Sequence, residues 1–203
     1  MMPIRPENRG YPTPLTDVLL PAEYEAVIAM RQSLGVDPMR FYDTWERIIA
    51  RHLDGELTPA RHPWDITTAA GARVEVKFSY ELHMMFRVGR RDVFRFNGLR
   101  TAVESDVLVL IGLDRDDDTH LWIAPSGIAR GKCCTLQNPK CAIGNSRSKF
   151  ARYLVPFDAL ISRTHEYMRA NETRRTPTTT RQPGYLTYDH IDDQEASHGA
   201  RNR

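Results

Sequence analysis

The segment Arg73-Val74-Glu75-Val76-Lys77-Phe78 alternates strictly between charged and apolar residues. In an extended strand successive side chains leave on opposite faces, so Glu75 and Lys77 share one face and Val74, Val76 and Phe78 the other. Ten residues before Glu75, Asp65 opens another strand-like segment, Pro63-Trp64-Asp65-Ile66-Thr67-Thr68, and Ala69-Ala70-Gly71-Ala72 supplies a small turn between them. A hairpin there brings Asp65 alongside Glu75. Two carboxylates and an ammonium then converge at one end of a sheet, which suits a divalent cation and a phosphodiester under attack by water.

With a carboxylate-bearing helix ahead of it, this set of Asp65 and Glu75-Val76-Lys77 resembles the PD-(D/E)xK nuclease superfamily, over residues 38 to 126. The resemblance implies an α/β fold with a restriction-endonuclease-like core, a central mixed β-sheet flanked by helices. It implies Mg²⁺ as cofactor, with Mn²⁺ able to substitute, held by Asp65, Glu75 and the backbone carbonyl of Val76. Lys77 would orient or help deprotonate the attacking water and offset charge developing on the phosphorane. A helix glutamate that faces the metal in such enzymes carries over to Glu46, with Glu56 and Asp43 as substitutes. The plain alternative for Glu46 is an exposed helical glutamate paired with an arginine. For the hairpin as a whole it is a solvated strand whose charges keep it soluble.

The chain has 28 Lys and Arg residues, yet only Lys77, Lys132, Lys140 and Lys149 are lysines. A lysine beside Glu75 in so arginine-rich a chain fits a site needing a compact ammonium on a flexible stem. Formal net charge is only +2, so the whole molecule does not advertise a polyanion partner. Local clusters do. Arg87, Arg90, Arg91, Arg95 and Arg100 follow the Glu-x-Lys strand, and Arg130, Lys132, Lys140, Arg147, Lys149 and Arg152 form a second basic stretch. Beside a nuclease-like centre these are candidates for phosphate contact. Arg90, Arg91, Arg95, Arg147 and Lys149 are the chosen DNA-binding positions, together with Ser79, which shares the face of Glu75 and Lys77. The expected partner is double-stranded DNA, and the resemblance implies a homodimer that places two sites on two strands.

A run of about 20 apolar residues, which a spanning helix needs, is missing, and Met1-Met2-Pro3-Ile4-Arg5-Pro6 lacks the apolar centre of a signal peptide. Three cysteines, Cys133 and Cys134 adjacent and Cys141 apart, make a poor disulfide framework. A reducing, cytoplasmic compartment of a prokaryote or phage fits. With His120 or His165 the cysteines invite a zinc reading, but their spacing is wrong for a knuckle and plain thiols are the default. Serine-hydrolase, nucleotide-binding and zinc-protease motifs are missing from the sequence.

At 203 residues and a hydrophobic share of 41%, one domain with appendages is expected. Residues 1–20 read as an irregular arm, 21–170 as the nuclease-like α/β domain and 171–203 as a disordered, Thr-, Arg- and Pro-rich tail. Helices are expected from Pro21 to Leu34, from Pro38 through His52 with Asp37 as cap and Gly55 just past the end, and from Phe157 to Arg169. Strands are expected to about Tyr80, at Val93–Phe96, from Ser105 through the apolar run to Leu113, and at His120–Ala124. Asp106, at a strand start, is a candidate supporting acid. The expected function is Mg²⁺-dependent endonucleolysis of duplex DNA, restriction-type. The alternatives are a junction-resolving or repair nuclease, a non-catalytic DNA-binding module, and an interaction domain without chemistry.

Overall fold

A computed structural model of the protein describes residues 12–32, 38–59, 62–86, 89–99, 104–128, 132–141 and 149–175, excluding the side chains of 38–42 and 173–175. The chain begins with β1 (Thr13–Pro14), α1 (Leu15–Val18), α2 (Pro21–Gln32) and α3 (Pro38–His52). Strands β2 (Gly55–Leu57), β3 (Ile66–Thr68), β4 (Arg73–Phe86) and β5 (Gly89–Asn97) follow. After them come β6 (Val107–Leu113), β7 (Asp118–Pro125), β8 (Cys133–Gln137), β9 (Leu154–Val155) and α4 (Leu160–Arg175). The protein is α/β with a mixed, curled sheet. Its central path runs β1-β7-β6-β4-β3-β2, with β9 on β7.

β4 organises the fold. Its 14 residues extend roughly 45 Å at strand rise, long enough to serve two sheets. Val74–Tyr80 pairs in parallel with Val107–Leu113 of β6, while Glu81–Phe86 pairs antiparallel with β5. β5 then pairs with β8, so a three-stranded sheet folds over one face of the central one. Alternation along the strands separates two cores. Val74, Val76, Phe78, Val107, Val109 and Ile111 face the helices, joined by Trp45, Ile48 and Ile49 of α3. Leu108, Leu110 and Trp122 meet Phe94, Phe96 and Leu136 on the other side. This explains why β6 is apolar at every position: both of its faces are covered. Helices thus cover one face of the mixed sheet and the small β-sheet covers the other.

Helix α3 obeys its pattern. Trp45, Ile48, Ile49 and Leu53 are all buried, and Trp45 stacks on Phe78 with centroids 5.1 Å apart; burial of each such side chain contributes about 1.5–3 kcal/mol. Its end differs from expectation. Asp54, not Gly55, takes the left-handed conformation (φ 48), and Gly55 lies in β2, where an added Cβ would stand 2.8 Å from Ile66 Cγ2. The expected irregular arm also ends early, because Leu15, Val18 and Leu19 are core residues. At the other end α4 runs past residue 170 to Arg175. Asp37 and residues 176–203 lie outside the described residues. None of the described helices is long and apolar enough to cross a membrane.

Candidate functional site

The site forms where β3 leaves β4. β3 has three residues and matches β4 only at Ile66↔Val74 and Thr67↔Arg73. One step earlier, the Asp65 N–H still donates to Val74 O (3.0 Å), but its carboxylate takes the place of the next main-chain acceptor: Val76 N–H donates to Asp65 Oδ2 at 2.7 Å. In an extended residue N–H and C=O point to the same side, so the Val76 carbonyl also faces this edge. Asp65 is thereby held against the Val76 main chain at the β4 edge.

Glu75 and Lys77 leave the strand on the face covered by the small sheet. Glu75 is buried and Lys77 half-buried, and Lys77 Nζ lies 2.5 Å from Glu75 Oε1. Gly98 holds φ +70, and the nearest side-chain atom to its missing Cβ is Lys77 Cε; the chain after β5 therefore passes close along the lysine stem. Glu46 reaches the same edge from α3, half-buried beside the core row of that helix. Burial pushes its carboxyl up to about 7, and Asp65, Asp43 and Glu75 add to the rise, while Lys77 opposes it. Burial likewise raises Asp65, against the Val76 N–H and the Lys77 charge. Among the described residues these three carboxylates stand with the Lys77 ammonium. That excess of negative charge is what a divalent cation would relieve, and an all-oxygen donor set fits hard Mg²⁺. The three are not drawn within 4.8 Å of one another, as a tight donor set found elsewhere in the molecule is. Mg²⁺ tolerates this because it keeps several waters between itself and protein.

The edge is braced from below. Asp106 is buried and accepts from Arg73 N (3.0 Å), Nε (3.1 Å) and Nη2 (3.2 Å). Arg73 also lies over the Trp64 ring, 5.0 Å from its centroid. Asp106 therefore anchors the start of β4 two residues before Glu75 and acts through Arg73. Of the substitutes for Glu46, Asp43 is exposed on α3 and Glu56 exposed on β2.

The DNA-contact positions separate. Arg90, Arg91 and Arg95 are exposed on β5, with Arg91 5.9 Å over the Phe86 ring. Lys149 is exposed, its ammonium resting on Ile128 O and 5.3 Å over the Phe150 ring. Ser79 is a correction: it is buried, its hydroxyl donates to Tyr80 O (2.9 Å) and accepts from Arg95 N (2.9 Å). It ties β4 to β5, and a phosphate has no access to it. Arg147 lies outside the described residues. A cavity of about 260 Å³ lies away from this edge, lined by Arg31, Tyr80, Glu81, Leu113, Asp114 and Arg115.

The residues least visible in sequence form a charged knot at the opposite end of β6. Asp114 accepts at Oδ1 from Asp116 N (2.9 Å) and Asp118 N (3.0 Å), and its Oδ2 meets His120 Nε2 (2.9 Å) and Lys140 Nζ (2.8 Å). Lys140 also contacts Asp118 (2.6 Å) and Asp116 (3.1 Å). No family model matches this chain, and no curated protein sequence matches it.

Proposed function

We propose that the protein is a Mg²⁺-dependent endonuclease acting on double-stranded DNA at the β4 edge. One observation carries this reading: Glu46, Asp65, Glu75 and the Val76 carbonyl converge with Lys77 where β3 leaves the ladder. Such a cluster of acids on one ammonium, with one carboxyl raised toward neutrality, is common at catalytic centres and uncommon on solvated strands.

Asp65, Glu75 and the Val76 carbonyl would hold the cation, which when bound polarises a phosphate oxygen and acidifies water. Asp65 is fixed for this by the Val76 N–H, and Glu75 by burial. Lys77 presents its ammonium to the scissile phosphate and offsets charge developing there. Glu46, with a carboxyl near pKa 7, exchanges a proton with solvent at neutral pH and suits the acceptor of the attacking water's proton. Arg90, Arg91 and Arg95 are exposed on the β5 strand of the small sheet, where they can meet phosphates, which supports duplex DNA and restriction-type cleavage as the substrate and mode. Cutting both strands would take two copies of the chain.

The test is incubation of the full chain with supercoiled plasmid and phage DNA plus Mg²⁺, beside Glu75→Ala and Lys77→Ala. Discrete fragments that both variants lose support the reading, with at least about a hundredfold drop in rate expected from loss of a group stabilising the transition state. A smear that the variants abolish keeps the nuclease and removes the sequence-specific mode. Intact plasmid and branched DNA, or variants as active as the parent, would sink it.

A further inference from the structure

Beyond Tyr80, β4 carries a second constellation, roughly 20 Å along the strand from Glu75. Glu81 and His83 leave one face of β4, and Asp92 stands opposite His83 across the β4·β5 ladder. Onto that face the short 3-10 turn Pro139–Cys141 delivers a thiol. Cys141 Sγ, a Glu81 oxygen and an Asp92 oxygen all lie within 4.8 Å of one another, and His83 Nδ1 touches Asp92 Oδ1.

The turn that carries Cys141 is held from both sides. Asn138, itself buried, donates its N–H to Asp92 O (2.9 Å) and its side-chain amide to Glu81 Oε1. Its own side-chain oxygen accepts from Lys140 N (2.9 Å), and its carbonyl accepts from Cys141 N (3.1 Å). Lys140 then plugs the aspartates at 114, 116 and 118. Glu81 is further oriented at Oε2 by Arg115 N (3.3 Å). Asp92 Oδ1 is buried and is met by His83 Nδ1, so His83 orients that carboxylate toward the thiol.

We propose that Glu81, Asp92 and Cys141 form a binding site for a borderline divalent cation, Zn²⁺ in the first place, with His83 orienting Asp92. A thiolate and two carboxylate oxygens, with water in the fourth position, are donors that four-coordinate Zn²⁺ accepts, whereas Mg²⁺ selects oxygen alone. The donors come from β4, β5 and the turn, so the ion would staple the ribbon to the segment beneath it. Asn138 and Arg115 supply the outer hydrogen bonds that fix such ligands. Cys141 is exposed, which gives an ion its way in. Binding exchanges the thiol proton, released to solvent, for a sulfur–metal bond. This site is independent of the β4 edge and of the nuclease reading.

The experiment is titration of the chelator-stripped full chain with Co²⁺ and then Zn²⁺, followed by absorption and by thermal unfolding. One equivalent of Co²⁺ should give a thiolate-to-cobalt band in the near ultraviolet with visible bands of a tetrahedral ion, bleached by one equivalent of Zn²⁺. Cys141→Ser should abolish the ultraviolet band, and His83→Ala should weaken Zn²⁺ binding at least about tenfold. Zn²⁺ should raise the Tm of the parent and leave that of Cys141→Ser, measured in parallel with chelator, unchanged. The bands should survive Cys133→Ser/Cys134→Ser, and also Asp65→Asn/Glu75→Gln, which separates this site from the β4 edge. Absence of the thiolate band in the parent, its persistence in Cys141→Ser, or its loss in the Cys133/Cys134 variant would overturn the proposal.

Discussion

Glu46 and Asp114 are both carboxylates set against the same sheet, and their surroundings push them in opposite directions. At the β4 edge, burial and neighbouring acids raise Glu46 to about 7. At the far end of β6, burial would raise Asp114 too, but hydrogen bonds from His120, Lys140 and the Asp118 N–H hold it well below the usual carboxylate range. The difference is the supply of donors. Asp114 has two backbone N–H groups, an imidazole and an ammonium around two oxygens. Among the described residues the edge sets one ammonium beside three acids, and the acids raise Glu46. A cluster that satisfies itself holds the fold together, whereas a cluster left short of positive charge is ready for a ligand that brings some.

The largest effect should come from breaking the satisfied cluster. Lys140→Ala leaves Asp114, which is 2% exposed, without its ammonium and leaves two more aspartates beside it. Urea unfolding should show a loss of about 3 kcal/mol, the scale of a buried charge deprived of its partner. A loss under about 1 kcal/mol would mean that the lysine is only a surface ion pair, and the contrast between the two clusters would collapse.

The opposite sign is expected at the edge. Glu46→Gln removes one of three acids competing for Lys77 and should stabilise the protein by about 1 kcal/mol in Mg²⁺-free buffer at pH 8, the gain often seen when a functional charge is relieved. The same substitution should lower cleavage. Stability and activity moving apart at Glu46, and falling together at Lys140, would sharpen the comparison. If Glu46→Gln destabilises instead, the carboxylate is an ordinary helix residue.

Space decides a third, intermediate case. An added Cβ at Gly112 would stand 2.7 Å from the Phe94 ring, at the point where the small sheet crosses β6. Gly112→Ala should cost about 1–3 kcal/mol through overpacking, with a lowered urea midpoint and unchanged slope. Phe94→Leu in the same chain should recover part of it, which a purely conformational glycine effect would not allow.

How much of this was legible in the chain follows from how local each signal is. The alternation at Val74–Phe78, the apolar run of β6 and the helical spacing of Trp45, Ile48 and Ile49 are local, and each element stands where its pattern put it. The placement of Asp65 was readable too, because the turn at residues 69–72 is short enough to fix the register. β5 was legible only as Val93–Phe96, since its outer half and the end of β4 mix Met84, Met85 and Phe86 with arginines and present no clean apolar face to any core. Ser79 was misjudged because period two fixes the face of a side chain but not what covers that face. The covering sheet depends on β4 exchanging β6 for β5 as its partner from Glu81 onward, a long-range event. Asp114, Lys140 and Cys141 meet only through that same folding-over, and their spacing in sequence carries no trace of it.

The smallest effect isolates protons. Glu46 is protonated more readily folded than unfolded, with about 7 against an ordinary 4.5. Between those values the native state binds more protons than the unfolded one, so stability must fall as pH rises from about 4.5 to 7 and level off above. Asp65, also raised by burial, contributes in the same sense. His52 opposes them: burial lowers it, so its share of stability grows as pH rises toward 6.5. Asp114 acts elsewhere, since its lowered value gives stability that is present above about 3.8 and lost only in acid. The informative quantity is therefore the difference in Tm between the parent and Glu46→Gln across pH 4.5 to 8. It should widen in favour of the variant as pH rises through the window and stay constant beyond it, a shift of about 2–4 °C for roughly 1 kcal/mol in a chain this size. A difference that does not change with pH would remove the proton from Glu46 and, with it, the role of that carboxyl as acceptor at the edge.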